Sequence, residues 1–196
     1  MPRKPLRNRK SPRLQGFDYS QPGAYFITIC TRERQCLFGH IDGTVLHLSD
    51  RGRLVHTTWV EMPEFYEGLM LDYFVLMPNH LHAIVMLTGL ALPSLTSTNG
   101  RAQGPSPTLG LQDIVHRFKS LTTARVRGHS LQAHHYHPRR PLWQRGYYEH
   151  VIRNDGSLER IREYIANNPA QWSLDRENPD FIPPATTPSD TEPWMV

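Results

Sequence analysis

Two short apolar segments that follow each other almost directly constrain the fold more than any other feature of the chain. Residues 71–77 (LDYFVLM) and 81–87 (LHAIVML) have strand length, and Pro78 and Asn79 lie between them. A connection this short joins antiparallel neighbours, because parallel strands need a crossover of about a dozen residues or more. The sequence therefore predicts a β-hairpin and, around it, an antiparallel sheet.

Apolar periodicity and capping residues predict the remaining elements. Strands are predicted over residues 24–31 and 146–152, and helices over 49–67, over 111–127, and from a cap at Asp155 or Ser157 to Asn168. The resulting order is β-α-β-β-α-β, with one additional C-terminal helix. This order is typical of the ferredoxin-like α+β fold, in which helices cover one face of an antiparallel sheet.

The length of 196 residues suits one domain with flexible ends. No apolar run reaches the roughly 18 residues that span a bilayer, and Cys30 and Cys36 are too few for a disulfide framework. We therefore expect a cytoplasmic protein with free thiols and no membrane partner. The predicted parts are a basic, flexible arm (1–22), a domain (23–172) with a flexible loop at 89–107, and an acidic, proline-rich tail (173–196).

The net charge of +4 is modest, but the charge is unevenly distributed. Residues 1–13 contain six Lys or Arg and no acid. Such an arm favours contact with phosphates, because Lys and Arg release counterions from a nucleic-acid backbone. A tail that only improves solubility explains the same composition equally well.

The strand predicted after Asn79 begins with the motif His80-Leu81-His82. Side chains alternate along a strand, so the two histidines face the same side and can converge on one metal ion, while Leu81 faces apolar packing. Two imidazoles leave coordination positions open to water or substrate, as a Lewis-acid site requires. The alternative is a pair of hydrogen-bonded histidines without a metal. The same spacing recurs at His135 and His137, in a segment that favours a polar loop, so spacing alone decides little.

The last predicted helix, RIREYIANNP, combines a narrow apolar stripe with two polar residues beside it. Tyr164 and Asn168 are four positions apart and so share a helix face at the rim of the core. A positioned tyrosine can act as a covalent nucleophile, and the amide oxygen of Asn168 is a candidate metal ligand. A tyrosine with a satisfied hydroxyl, and an asparagine that ends the helix before Pro169, is the structural alternative.

Taken together, the strings MPNHLHAIVML, FKSLTT, LWQRGYYEHVIRN and REYIANNP resemble, in this order, the single-tyrosine HUH transposases of bacteria. The resemblance is to the REP-associated tyrosine transposases and related small insertion-sequence transposases, and it extends over about residues 23–172. It implies that His80 and His82 bind magnesium or manganese, that Tyr164 is the nucleophile, and that Asn168 is a third ligand. The family cleaves single-stranded DNA through a 5′-phosphotyrosine link and rejoins it to another 3′-hydroxyl.

The implied partner is single-stranded or hairpin DNA. Basic side chains would follow its phosphates, and Trp143, Tyr147 or Tyr148 would stack on its bases, although packing in the core explains each of them as well. The candidate DNA contacts are Arg117, Lys119, Arg145, His150 and Arg153.

Several alternatives remain open. One is a DNA-binding protein of repeat elements that lacks strand-transfer activity, and another is a metal-dependent phosphodiesterase that uses water. The oligomeric state is also open. In a monomer Tyr164 would serve its own metal site, and in a homodimer with exchanged helices it would serve the partner's.

Overall fold

Four antiparallel strands form the main sheet in the computed structural model, which describes residues 16–89, 110–133 and 141–182. The strands lie in the order β4-β5-β1-β6, and β2 pairs only with β3 in a separate hairpin. This strand order, with α1 and α2 on the same face, confirms the predicted ferredoxin-like α+β fold. The elements are β1 (Gly23–Cys30), β2 (Gly39–Asp42), β3 (Val45–Leu48), α1 (Asp50–Phe65), β4 (Leu69–Leu76), β5 (His80–Leu87), α2 (Leu111–Ala133), β6 (Tyr148–Ile152) and α3 (Asp155–Asn167).

Helices α1 and α2 cover one face of the sheet. Alternate residues of β1 and β5, such as Ile27 and Leu81, point to this face and pack with Trp59 of α1 and Phe118 of α2, all of them buried. As predicted, Leu81 thus faces apolar packing. The larger part of the core lies in this layer and makes the central strands β1 and β5 a rigid support.

Helix α3 covers the opposite face, which carries the other set of alternating residues. Ile161 and Ile165 of α3 are fully buried against Phe26 of β1 and Ile84 of β5. This face is therefore the one toward which His80 and His82 point, since both are in register with Ile84 along β5. The sheet is thus enclosed by helices on both faces, rather than on one face alone.

Two local predictions need correction, and one element was not predicted. The helix α3 is capped by Asn154, whose side chain accepts a hydrogen bond from the Ser157 backbone, and not by Asp155 or Ser157. Helix α2 continues to Ala133, six residues beyond the predicted end. The β2–β3 hairpin was not predicted, because each of its strands has only four residues and neither has a continuous apolar face.

Parts of the two terminal segments pack against the domain. Phe17 and Tyr19 belong to the apolar cluster below α1 and α2, and the chain after α3 forms a 3-10 helix (Pro169–Leu174) and continues along the site face to residue 182. The predictions for residues 1–15, for the loop 89–107 except Gly89, and for His135 and His137 lie outside the described residues. Within the described ranges, no helix is long and apolar enough to cross a membrane.

Candidate active site

The strand register brings the two histidines of β5 together under α3. His80 pairs with Cys30 and His82 with Thr28 across the β1–β5 ladder. Both imidazoles are almost completely buried, and their ring centroids are 4.3 Å apart. The alternation of side chains along the strand therefore places them together, as the sequence predicted.

The tautomer of His80 is determined by Asn79. The amide nitrogen of Asn79 donates to the carbonyl oxygens of Arg34 (3.0 Å) and Glu177 (2.6 Å), which can only accept. The amide oxygen is consequently left to accept from Nδ1 of His80 at 2.8 Å. The proton of His80 therefore lies on Nδ1, and the lone pair on Nε2 faces the site.

His82 is held between β1 and α3. Its Nδ1 lies 2.8 Å from the hydroxyl of Thr28, and its Nε2 lies 3.3 Å from the hydroxyl of Tyr164. When Nδ1 donates to Thr28, Nε2 carries the lone pair and accepts from Tyr164. The ring also stacks on Phe26, at 5.5 Å between centroids. The predicted nucleophile and the predicted ligand are thus in direct contact within one chain.

Burial keeps both imidazoles neutral. It lowers the pKa of His82 to about 3, and it lowers the pKa of His80 well below its usual value, with further contributions from His82 and Arg34. Neutral imidazole is the form that binds metals, because a protonated ring has no free lone pair. The pair is therefore ready to bind a cation at neutral pH.

Asp175 is a third candidate ligand that the sequence prediction missed. Its Oδ2 lies 3.5 Å from Nε2 of His80, and one ligand atom each from Asp175, His80 and His82 fall within 4.8 Å of one another. Within the described part of the chain, neither Oδ2 of Asp175 nor Nε2 of His80 has a hydrogen-bond partner. Burial raises the pKa of Asp175 to about 6, and a bound cation would favour its ionised form. The group therefore fits a divalent metal ion.

Asn168 lies beside this group, at the C-cap of α3. Its side chain is buried, and its Oδ1 lacks a hydrogen-bond partner among the described residues. Asn168 also ends the helix before Pro169, as expected from the alternative in which it has only a structural role. Its role as a metal ligand stays a prediction, which the orphaned oxygen supports.

Tyr164 lies at the wall of a cavity of about 190 Å³ between α3, the sheet and the C-terminal segment. Its ring is half-buried and meets Phe26 edge to face, at 6.1 Å between centroids. Tyr148 and Arg176 also line the cavity. A substrate group that enters there can reach both the tyrosine hydroxyl and the face of His82.

Comparison with known proteins identifies the family of the chain. The family model described as "Transposase IS200 like" matches residues 104–168, which include Tyr164 and Asn168 but not the histidine pair. An uncharacterized protein of Haemophilus influenzae (strain Rd) is 40% identical over 177 residues, which are 87% of this chain and 93% of that protein. The chain belongs to the IS200-like transposase family. Its role is accordingly that of a transposase.

The fold of this transposase is similar to a solved structure of a REP-associated tyrosine transposase bound to a REP hairpin. The TM-score is 0.54 at 16% identity, and the match covers 84% of this chain and 76% of the solved one. At this identity the similarity supports the fold alone.

The predicted DNA contacts of the transposase lie in different places. Arg117 and Lys119 belong to α2, on the sheet face opposite the histidines. Arg117 is exposed and lies over the ring of Tyr66. Lys119 is half-buried and donates to the carbonyl oxygens of Gln144 (3.0 Å) and Gly146 (2.8 Å). Its ammonium group thus holds the chain that leads into β6.

The other three predicted contacts lie just before β6, on β6 and directly after it. Arg145 and Arg153 are exposed, and His150 is half-buried on the same sheet face as His82. Of the candidate stacking residues, Trp143 is buried and donates to Thr122, which supports its packing alternative. Tyr148 lines the cavity and is therefore better placed than Trp143 to stack on a base.

Proposed function

We propose that this transposase is a metal-dependent enzyme that cleaves and rejoins single-stranded or hairpin DNA, with Tyr164 as the nucleophile. The observation that carries the proposal is the 3.3 Å contact between the hydroxyl of Tyr164 and Nε2 of His82, at the wall of an open cavity. A nucleophile and a cation site within hydrogen-bond distance are what attack on a phosphodiester requires.

In the proposed reaction, the oxygen of Tyr164 attacks the scissile phosphorus, and the bond to the 3′ oxygen breaks. The products are a 5′-phosphotyrosine link and a free 3′-hydroxyl. Another 3′-hydroxyl reverses the step and joins two strands, so no nucleotide cofactor is needed. Phe26 and the buried Ile161 and Ile165 keep the tyrosine ring in place during both steps.

His80, His82 and Asp175 would hold the metal ion, with Asn168 as an additional oxygen ligand. When bound, the cation would neutralise the charge that develops on the phosphate. We propose magnesium or manganese, because the oxygen ligands of Asp175 and Asn168 suit these hard ions better than two imidazoles alone would.

We further propose that Tyr164 serves the metal site of its own chain, since α3 packs on the sheet that carries His80 and His82. A monomer is then sufficient for cleavage. The DNA would cross the face that carries Tyr148 and His150, and Arg145 and Arg153 would contact its phosphates. Arg117 and Lys119 could reach only DNA that continues to the opposite face. The protein would act in the cytoplasm, without a membrane partner.

The decisive test is a covalent adduct. End-labelled hairpin and single-stranded DNA are incubated with the protein and Mg²⁺, Mn²⁺ or EDTA, and then separated under denaturing conditions. The expected result is a metal-dependent, denaturation-resistant adduct that peptide mass spectrometry maps to Tyr164.

His82→Ala should abolish the adduct without unfolding the protein, whereas the matched control His47→Ala, on the exposed β2–β3 hairpin, should leave it unchanged. Cleavage without any adduct would instead support the water-using phosphodiesterase. Binding without cleavage in the wild-type protein would support an inactive DNA-binding protein of repeat elements.

A further inference from the structure

A network of three side chains fastens the segment after α3 to the sheet beside His80. The guanidinium of Arg34 is bidentate on Glu177, with Nε 2.9 Å from Oε2 and Nη2 3.3 Å from Oε1. Its Nη1 also donates to the carbonyl oxygen of Arg176 at 2.8 Å. The carbonyl oxygen of Glu177 accepts from the amide of Asn79. We call Arg34, Asn79 and Glu177 the clamp.

The backbone that presents Arg34 is strained. Glu33 and Arg34 are consecutive non-glycine residues with φ of +58° and +55°, in the left-handed region that side chains disfavour. This turn directs the carbonyl oxygen of Arg34 at the amide of Asn79, at 3.0 Å, and its guanidinium at Glu177. Such strain persists only where surrounding contacts compensate it, and it is concentrated at functional sites.

The clamp acts on both neighbouring ligand candidates. Through Asn79 it determines which nitrogen of His80 carries the proton. Through Glu177 it determines the orientation of Asp175, because the backbone N–H of Glu177 donates to Oδ1 of Asp175 at 2.6 Å. The remaining oxygen, Oδ2, is consequently the one that faces Nε2 of His80.

We propose that Arg34, Asn79 and Glu177 are positioning residues, which make the segment around Asp175 an integral part of the metal site rather than a tail. The inference rests on the proposed function only in requiring that His80 and His82 bind a divalent cation. Partners of this kind, which orient ligands from behind, typically contribute about 10–100-fold to metal affinity.

The test measures Mn²⁺ binding to the full chain by isothermal titration and by the electron paramagnetic resonance spectrum of the bound ion. The Tyr164→Phe protein is used throughout, so that the result does not depend on cleavage. Glu177→Gln keeps the shape of the side chain but removes the charge that Arg34 binds. It should weaken Mn²⁺ binding about tenfold and change the spectrum, and Arg34→Lys should do the same.

The matched control is Glu61→Gln, which breaks a glutamate–arginine pair of similar exposure, with Arg125, on the other face of the sheet. It should leave Mn²⁺ binding unchanged. Melting curves will show that every variant is folded at the temperature of titration. A fall in affinity for the control that equals that of Glu177→Gln would overturn the proposal.

A double-mutant cycle separates positioning from general loosening. Asp175→Ala removes the ligand itself, so adding Glu177→Gln to it should cause little further loss if Glu177 acts through Asp175. Additive losses, or wild-type Mn²⁺ affinity in Glu177→Gln, would refute the positioning role of the clamp. Neither result would contradict the proposed metal site. Mn²⁺ binding that does not depend on His82 would overturn the proposed metal site itself and the clamp with it.

Discussion

Replacing Tyr164 by phenylalanine should lower the free energy of unfolding only slightly but abolish cleavage. This one variant therefore distinguishes the structural role of the side chain from its chemical role. The substitution removes one oxygen and keeps the ring against Phe26. The lost hydrogen bond to His82 is 3.3 Å long, and ordinary intramolecular hydrogen bonds contribute about 0.5–1.5 kcal/mol. We expect a cost of about 0.5 kcal/mol. Since 1 kcal/mol shifts the melting temperature of a domain of this size by about 2–4 °C, the shift should be about 1–2 °C.

The effect on cleavage should be far larger. Without the hydroxyl no phosphotyrosine bond can form, and a fall of about 10⁴-fold or more corresponds to at least about 5 kcal/mol on the barrier. The assay is single-turnover cleavage of labelled hairpin DNA with Mn²⁺, alongside DNA-binding and thermal-melting measurements. Binding should remain, and both the adduct and strand joining should disappear.

Tyr148→Phe is the matched control, because Tyr148 lines the same cavity from β6. This variant should still form the adduct, even if its DNA affinity falls. The assignment of Tyr164 would be refuted by an adduct that persists in Tyr164→Phe. An adduct that disappears from Tyr148→Phe instead would move the nucleophile to β6.

Three further predictions concern other parts of the molecule. Deleting residues 1–13 should weaken DNA binding and make the affinity less dependent on salt, without changing the cleavage position. An unchanged salt dependence would show that this segment does not contact DNA phosphates. Ile165→Ala should lower the free energy of unfolding by about 2–5 kcal/mol, because the side chain is fully buried under the sheet, and a chemical denaturation curve that matches wild type would contradict that packing. Mixing the inactive Tyr164→Phe and His82→Ala proteins should not restore the adduct if each tyrosine serves its own chain, whereas restored activity would indicate exchanged helices.

Much of the fold could be predicted because its central elements carry strong local signals. The turn at Pro78 and Asn79 between two apolar segments defines the β4–β5 hairpin, and the buried stripe of α3 is visible as helical spacing. The β2–β3 hairpin could not be predicted in the same way. Its four-residue strands are mostly exposed, so no apolar pattern distinguishes them from a loop.

The candidate site shows a similar division between local and long-range information. His80 and His82 follow from strand alternation, and Tyr164 and Asn168 follow from helix spacing, so both pairs could be predicted as pairs. Asp175 could not, because it lies in an acidic, proline-containing stretch whose composition is typical of a solvated tail. Its place depends on contacts with Arg34, which is more than 140 positions away in the sequence. In the structure a 3-10 helix (Pro169–Leu174) directly precedes Asp175, but no pattern in the sequence predicted this short element.

The nucleophile and the metal ligands are attached to the molecule in different ways. His80 and His82 lie on the central strand β5, which the larger apolar cluster supports from behind. Tyr164 lies on α3, which is held by the smaller cluster around Ile161 and Ile165 and by the ion pair between Arg162 and Asp72 of β4.

Because the two attachments share few residues, damage to one should leave the other largely intact. Substitutions under α3 should therefore change adduct formation more than metal affinity, and substitutions in the clamp should change metal affinity at constant α3 packing.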